Sequence, residues 1–229
     1  SWDNGQKAYE MMSCYDGLLE LYKITKNPDY LKAVEATVRN IIDEEINIAG
    51  SGSAFECFYH GKRLQTDPAY HTMETCVTMT WMKLCQNLLD LTKNPLYADQ
   101  IEKTTYNALL AALKEDAGQI AKYSPLEGVR SAGEHQCGMH VNCCNSNGPR
   151  AFAMIPTAAV LSSNDSLFVN LYGPSTTKAS LGKNEISLEQ TTAYPEDGDI
   201  EIAVNAPRNL EFAVAVRIPA WSKVSRVAV

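Results

Sequence analysis

The chain has 229 residues, of which 45% are hydrophobic and 21% charged, and its net charge is −7. That balance suits a globular protein with a sizeable core. It excludes the basic surface that nucleic acid or anionic lipid requires, and no apolar run is long enough to cross a bilayer.

In chain order, residues 7–26 predict a helix, with Met11, Met12, Cys14, Tyr15, Leu18, Leu19, Leu21 and Tyr22 on one broad face. Asn27-Pro28-Asp29 makes a turn, and residues 30–46 predict a second helix. A Gly-Ser stretch then breaks the pattern, and residues 54–73 are irregular. A repeat follows: LYKITKNPDY at 21–30 matches LLDLTKNPLY at 88–97. At the same offset a second hairpin runs over 74–93 and 96–114, and Lys7 falls on Glu74. Two hairpins in series suggest a helical toroid whose inner helices line a pocket, with Lys7 and Glu74 at equivalent inner-helix starts.

Residues 115–147 form a long connection with little periodicity, and such connections are commonly functional. Overlapping its end, Cys137 to Arg150 reads as a loop crowded with thiols and asparagines. Residues 149–162 return to helix, distorted by Pro156. After Asn164 the period becomes two, with strands expected at 166–172, 185–191, 199–205 and 211–218 as an antiparallel module. The helical part ends near 163, the β part occupies 164–229, and the unfinished sheet and unclosed toroid read as part of a longer protein.

Seven cysteines in no regular spacing argue for thiols, some metal-bound, over a disulfide scaffold. Zinc favours thiolates and accepts carboxylate, usually with four ligands. Glu74, Cys76, Cys143 and Cys144 would supply that set, although the customary Cys-x-x-Cys spacing is absent. Glu74 and Cys76, two apart, can converge only where their helix begins. Buried thiols or a vicinal disulfide at Cys143-Cys144 is the competing reading. Glu56, between Phe55 and Cys57, is a general-acid candidate if apolar company raises its pKa, and an ordinary surface glutamate otherwise. Cys14, Cys57 and Cys85 read as core residues. Tyr70 and Tyr123 either line a sugar site or pack, and His140, three before Cys143, is a further candidate contact.

Glu74-Thr75-Cys76 opening a helix, Cys143-Cys144-x-x-Asn147-x-x-Arg150, and the stretches LFVNLYGPS, YPEDGDIEI and VRIPAW together resemble glycoside hydrolase family 127, which contains β-L-arabinofuranosidases. The resemblance implies an α+β multidomain chain: the last part of an (α/α)6 barrel over 1–163, then the first part of a β-sandwich domain over 164–229. It implies a retaining glycosidase acting on an oligo- or polysaccharide. Zn2+ would be held by Glu74, Cys76, Cys143 and Cys144, with Cys143 as nucleophile and Glu56 as acid/base. Lys7 stands where the family places a sugar-binding histidine, so Lys7, Tyr123 and His140 are the expected sugar contacts. No nucleic-acid or membrane partner is expected, and a homo-oligomer is compatible with the reading. The alternatives are a non-catalytic carbohydrate-binding protein with a structural zinc site and a helical interaction protein with core cysteines.

Overall fold

The computed structural model describes residues 6–114, 119–133 and 141–229. His140 therefore lies outside the described residues, as do Cys137 and His135. The first helical hairpin is α1 (Ala8–Thr25) and α2 (Pro28–Asn40), the latter running into a π turn at Ile41–Glu45. A single short turn, α3 (Gly61–Leu64), interrupts the irregular stretch. The second hairpin is α4 (Thr75–Thr92) and α5 (Pro95–Thr104), with its own π turn at Thr105–Leu109. Helix α6 (Cys143–Ala159) completes the helical part.

The repeated Thr-Lys-Asn-Pro explains why both hairpins turn alike. Lys26 and Lys93 take the left-handed conformation that ends α1 and α4. The Thr25 and Thr92 hydroxyls accept from the next-but-one N–H, of Asn27 at 3.3 Å and Asn94 at 3.2 Å. Those asparagines then cap the following helix, accepting from Asp29 N and Leu96 N at 3.0 Å each. Pro28 and Pro95 sit at the first helical position, where no N–H is needed.

Helix α4 is covered on nearly every side. Val77, Met79, Trp81, Met82, Leu84, Cys85, Leu88 and Leu89 are all buried, so it is apolar nearly all round and packs against α1, α5 and α6. Of the cysteines expected in the core, Cys85 is buried, Cys57 is half-buried and Cys14 is exposed. On α1 the buried stripe runs through Ala8, Met12, Asp16 and Leu19, which leaves Cys14 on the outer face.

Two expectations are corrected here. The stretch expected as a loop up to Arg150 is helical from Cys143 onward. Asn142 caps it by accepting from Cys144 N at 3.0 Å, and Asn145 Oδ1 accepts from Asn142 N at 2.8 Å, closing a capping box. Gly148 belongs in this helix for a packing reason: a Cβ there would stand 2.8 Å from Ile120 Cγ1. At the other end the helix stops at Ala159, and β1 (Val160–Ser162) follows without a break.

The remaining strands are β2 (Ser166–Val169), β3 (Ser175–Leu181), β4 (Asn184–Thr192), β5 (Ile200–Asn205) and β6 (Ala213–Val216). Among the described residues they form two sheets, ordered β1-β2-β6 and β3-β4-β5. The module was expected to be antiparallel throughout; β2 and β6 instead pair in parallel. The crossover through the second sheet returns β6 in the same direction as β2. Leu167, Val169, Leu181, Ile186 and Leu188 form the core of this part. It is docked on α5 through Arg217, whose guanidinium meets Asp99 Oδ1 at 2.6 Å and also pairs with Glu102, while Tyr194 donates its hydroxyl proton to Glu102.

Candidate metal centre and its flanking carboxylate

The starts of α1, α4 and α6 are tied together by a ribbon of isolated β-bridges. Lys7 bridges Cys57, Ala54 bridges Thr72, Glu74 bridges Tyr123, and Tyr123 bridges Ser131. Asn142 Nδ2 donates to Ala132 O at 2.7 Å and joins the start of α6 to the same ribbon. Residues far apart in sequence are thereby placed within reach of one another, at helix ends whose peptide dipoles favour negative charge.

Glu74, Cys76, Cys143 and Cys144 come together, each offering one ligand atom, and all four atoms lie within 4.8 Å of one another. Cys76 Sγ is 3.1 Å from Cys143 Sγ and 3.2 Å from Cys144 Sγ. Glu74 Oε1 is 3.9 Å from Cys143 Sγ and 3.8 Å from Cys144 Sγ. Tetrahedral coordination at a Zn–S distance of about 2.3 Å would separate sulfurs by roughly 3.8 Å; the two sulfur pairs are closer than that, and all four ligand atoms are near enough to share one ion. Glu74, Cys76 and Cys144 are buried, and Cys143 is exposed. Asn147 Nδ2 donates to Cys76 Sγ at 3.1 Å, and Arg150 in turn donates to Asn147 Oδ1 at 2.9 Å. The Asn147 and Arg150 of the motif thus orient the cluster from behind.

Four acids packed this closely cannot all ionise unaided. Burial first, and then the charge of Glu56, push Glu74 up to about 7. Burial and the neighbouring Cys76 push Cys143 up to about 11, and the contact with Cys144 together with burial raises Cys76 well above the ordinary thiol range. A cation among them would reverse this penalty, and the donor set of three sulfurs and one oxygen fits a metal ion.

Glu56 occupies a tight turn in which Ala54 and Cys57 exchange backbone hydrogen bonds of 2.8 and 2.9 Å, and both central residues, Phe55 and Glu56, have positive φ. Apolar company was expected to raise its pKa. Burial does push that way, but the hydrogen bond from Lys7 and the charges of Lys7 and Lys122 outweigh it and hold Glu56 below the ordinary carboxylate range. Lys7 pairs with Oε2, and Lys122 Nζ lies 3.4 Å from Oε1. Tyr123 is buried, its ring 4.8 Å from that of His71, and His71 and Tyr70 lie edge-on to Phe55 at 5.0 and 5.7 Å. Sequence reasoning missed Lys122. A lone lysine in the segment Ile120-Ala121-Lys122-Tyr123 carries no spacing signal, and only the bridges reveal where it points.

A family profile described as "Beta-L-arabinofuranosidase, GH127 catalytic domain" matches residues 4–157, and one described as "Beta-L-arabinofuranosidase, GH127 middle domain" matches residues 166–229. A non-reducing end β-L-arabinofuranosidase of Bifidobacterium longum subsp. longum is 26% identical over 203 residues, which is 82% of this chain and 30% of that protein. The solved structure of a GH127 β-L-arabinofuranosidase from Geobacillus stearothermophilus T6 superposes with a TM-score of 0.82 at 26% identity, over 95% of this chain and 36% of that one. A second solved structure, of a GH127 β-arabinofuranosidase, gives a TM-score of 0.82 at 29% identity, over 95% of this chain and 35% of the other. The chain thus spans about a third of the length of these relatives. Among the described residues, no helix is long and apolar enough to cross a membrane.

Proposed function

The chain belongs to the glycoside hydrolase family 127 β-L-arabinofuranosidase family, and on that premise we propose that it carries the active centre of a retaining glycosidase acting on a non-reducing-end β-L-arabinofuranosyl or similar sugar of an oligo- or polysaccharide. The observation that carries this reading is the four-ligand cluster with one exposed member. Glu74, Cys76 and Cys144 are buried and serve as anchors, while Cys143 is the ligand a sugar can reach. Zinc bound by these four residues would keep the Cys143 sulfur deprotonated at neutral pH.

The chain's own residues account for the two displacements. Cys143 Sγ attacks the anomeric carbon, the C–S bond forms, and the glycosidic C–O bond breaks as Glu56 gives its proton to the departing oxygen. Glu56, now anionic, takes a proton from water, whose oxygen attacks the same carbon from the side vacated by the leaving group. The C–S bond breaks, the sulfur regains its charge, and configuration is retained overall. Before the first step Glu56 must take up a proton. Lys7 lies on the open side of Glu56 with its side chain 47% exposed, so it can withdraw as the sugar enters and let burial raise the carboxyl. The complete barrel, in which α1 and α4 would be inner helices, belongs to this proposal, as do the division near residue 163 and the sugar-contact roles of Lys7 and Tyr123.

Zinc analysis and Glu56→Gln in the intact protein test the reading together. We expect one zinc per chain. On an alkyl β-L-arabinofuranoside, Glu56→Gln is expected to lose activity by roughly 100-fold or more while keeping the metal. An active protein that tolerates Glu56→Gln, or that contains no metal, contradicts it. A metal-replete protein that binds sugar and cleaves none is a carbohydrate-binding protein with a structural site.

A further inference from the structure

Lys122 is built into the molecule more firmly than an ion-pair partner of a half-exposed glutamate requires. Its backbone is fixed on both sides: its N–H donates to Ser131 O at 2.7 Å, and its carbonyl accepts from Thr75 N at 3.0 Å, at the start of α4. Its aliphatic stem runs against Gly133, where an added Cβ would stand 2.5 Å from Cδ and 2.6 Å from Cβ of Lys122. Gly133 also has a φ of +71°, so the backbone there suits glycine on two counts. The Lys122 side chain is 11% exposed, and its ammonium lies 5.1 Å from the centre of the Tyr123 ring. Lys7, the other cation on Glu56, is 47% exposed and can move.

We propose that Lys122 is a positioning residue for Glu56, holding one carboxylate oxygen in fixed register with the Glu74–cysteine cluster while the other oxygen is exchanged between Lys7 and the substrate. This rests on the glycosidase reading above. The turn that carries Glu56 fixes its backbone and leaves its side-chain torsions free, so something beyond the turn must aim the carboxylate. Lys122 meets that need from the same segment that caps Thr75, and the aim is therefore tied to the helix that carries Glu74 and Cys76. A carboxylate free to rotate would serve proton transfer poorly in both displacements, and a misplacement of about 1 Å is enough to cost much of the rate.

The test is the kinetics of Lys122→Met, Lys122→Arg and Gly133→Ala in the intact metal-loaded protein, on methyl and 4-nitrophenyl β-L-arabinofuranosides. Lys122→Met keeps the stem and removes the charge. Its kcat on the methyl glycoside is expected to fall by roughly 100-fold with KM little changed. On the 4-nitrophenyl glycoside, whose departure needs little proton donation, the initial burst is expected to keep its rate while steady turnover slows. Arginine is expected to recover most of the loss. Gly133→Ala, which keeps the charge and displaces the stem, is expected to lose activity in the same leaving-group-dependent way. In a Glu56→Gln background Lys122→Met should have no further effect. Unchanged turnover in Lys122→Met, a loss additive with Glu56→Gln, or a loss that follows departed metal overturns the proposal. If the wild-type protein cleaves neither glycoside, the glycosidase reading fails and the proposal falls with it. That result is distinct from an active enzyme indifferent to Lys122.

Discussion

Glu56 occupies a backbone conformation that residues other than glycine usually avoid, and its neighbour Phe55 does the same. Such strain is tolerated where the surroundings over-determine it, and here the ends of the turn, Ala54 and Cys57, are bonded to each other, while Glu56 O accepts from Ala8 N at the start of α1 at 2.9 Å. The electrostatics at this residue yield a prediction with a definite sign. The folded protein holds Glu56 below its ordinary 4.5, and the Glu56 hydrogen bond holds Lys7 above its ordinary 10.5. A depressed acid contributes stability above its unfolded pKa and loses it as pH falls through the folded value; a raised lysine loses its contribution as pH rises through its folded value. The pair therefore helps across the neutral range. Its worth is under about 1 kcal/mol, because both groups are partly solvated. Lys7→Met is expected to lower the thermal midpoint at pH 7 slightly and to shrink that deficit as acidification passes the depressed Glu56 value, where the wild-type protein also loses the pair. Thermal melts across that range check it, and a deficit that grows on acidification contradicts it. The sequence offered Glu56 as a candidate but not its charge state, since the lysines that set it come from positions 7 and 122.

Among the elements, the hairpins were the most legible from sequence, because each residue of Thr-Lys-Asn-Pro performs a local backbone task that holds wherever the chain goes. Removing one such task should be measurable: Asn94→Ala is expected to destabilise the intact protein by about 1 kcal/mol, read as a lower denaturant midpoint, whereas Asn94→Ser should recover most of it. An Asn94→Ala midpoint equal to wild type would show that the cap contributes nothing there. Helix α6 was less legible. Asparagine, glycine and proline are loop residues by composition, and here Asn142 and Asn145 are spent on capping, Asn147 on Cys76, while Gly148 admits Ile120. Strand β3 was missed because Ser175-Thr176-Thr177-Lys178 has no buried alternation; its register comes from β4, where Ile186, Leu188 and Gln190 are buried on one face.

For the whole molecule, the helical and β parts meet through a charged network set beside apolar contacts, with Leu171 buried in the helical core and Tyr194 packed edge-on against Tyr106. Arg217 is nearly fully buried, and its two carboxylate partners both come from α5. Burial pushes Glu102 above its ordinary range even though the Arg217 charge pulls it back, which marks how dry this contact is. Arg217→Met leaves Asp99 and Glu102 without their cation and is expected to cost about 3–5 kcal/mol. Two unfolding transitions in place of one, seen by calorimetry, would show that the docking has been lost. A variant as stable as wild type would contradict this account of the junction. No sequence pattern announced this pairing, since Asp99 and Arg217 lie more than a hundred residues apart.

The same long-range assembly governs the centre itself, where Glu74 and Cys76 meet Cys143 and Cys144 only because the bridge ribbon gathers the helix starts. The central claim is that the exposed thiol of this cluster forms the bond to sugar. It is tested most directly by treating the intact metal-loaded protein with a cyclophellitol-type epoxide of arabinofuranose configuration and mapping the adduct by peptide mass spectrometry. We predict a single adduct on Cys143, absent from Cys143→Ser. An adduct on Glu74 or Glu56, or full inactivation with Cys143 unmodified, would contradict it.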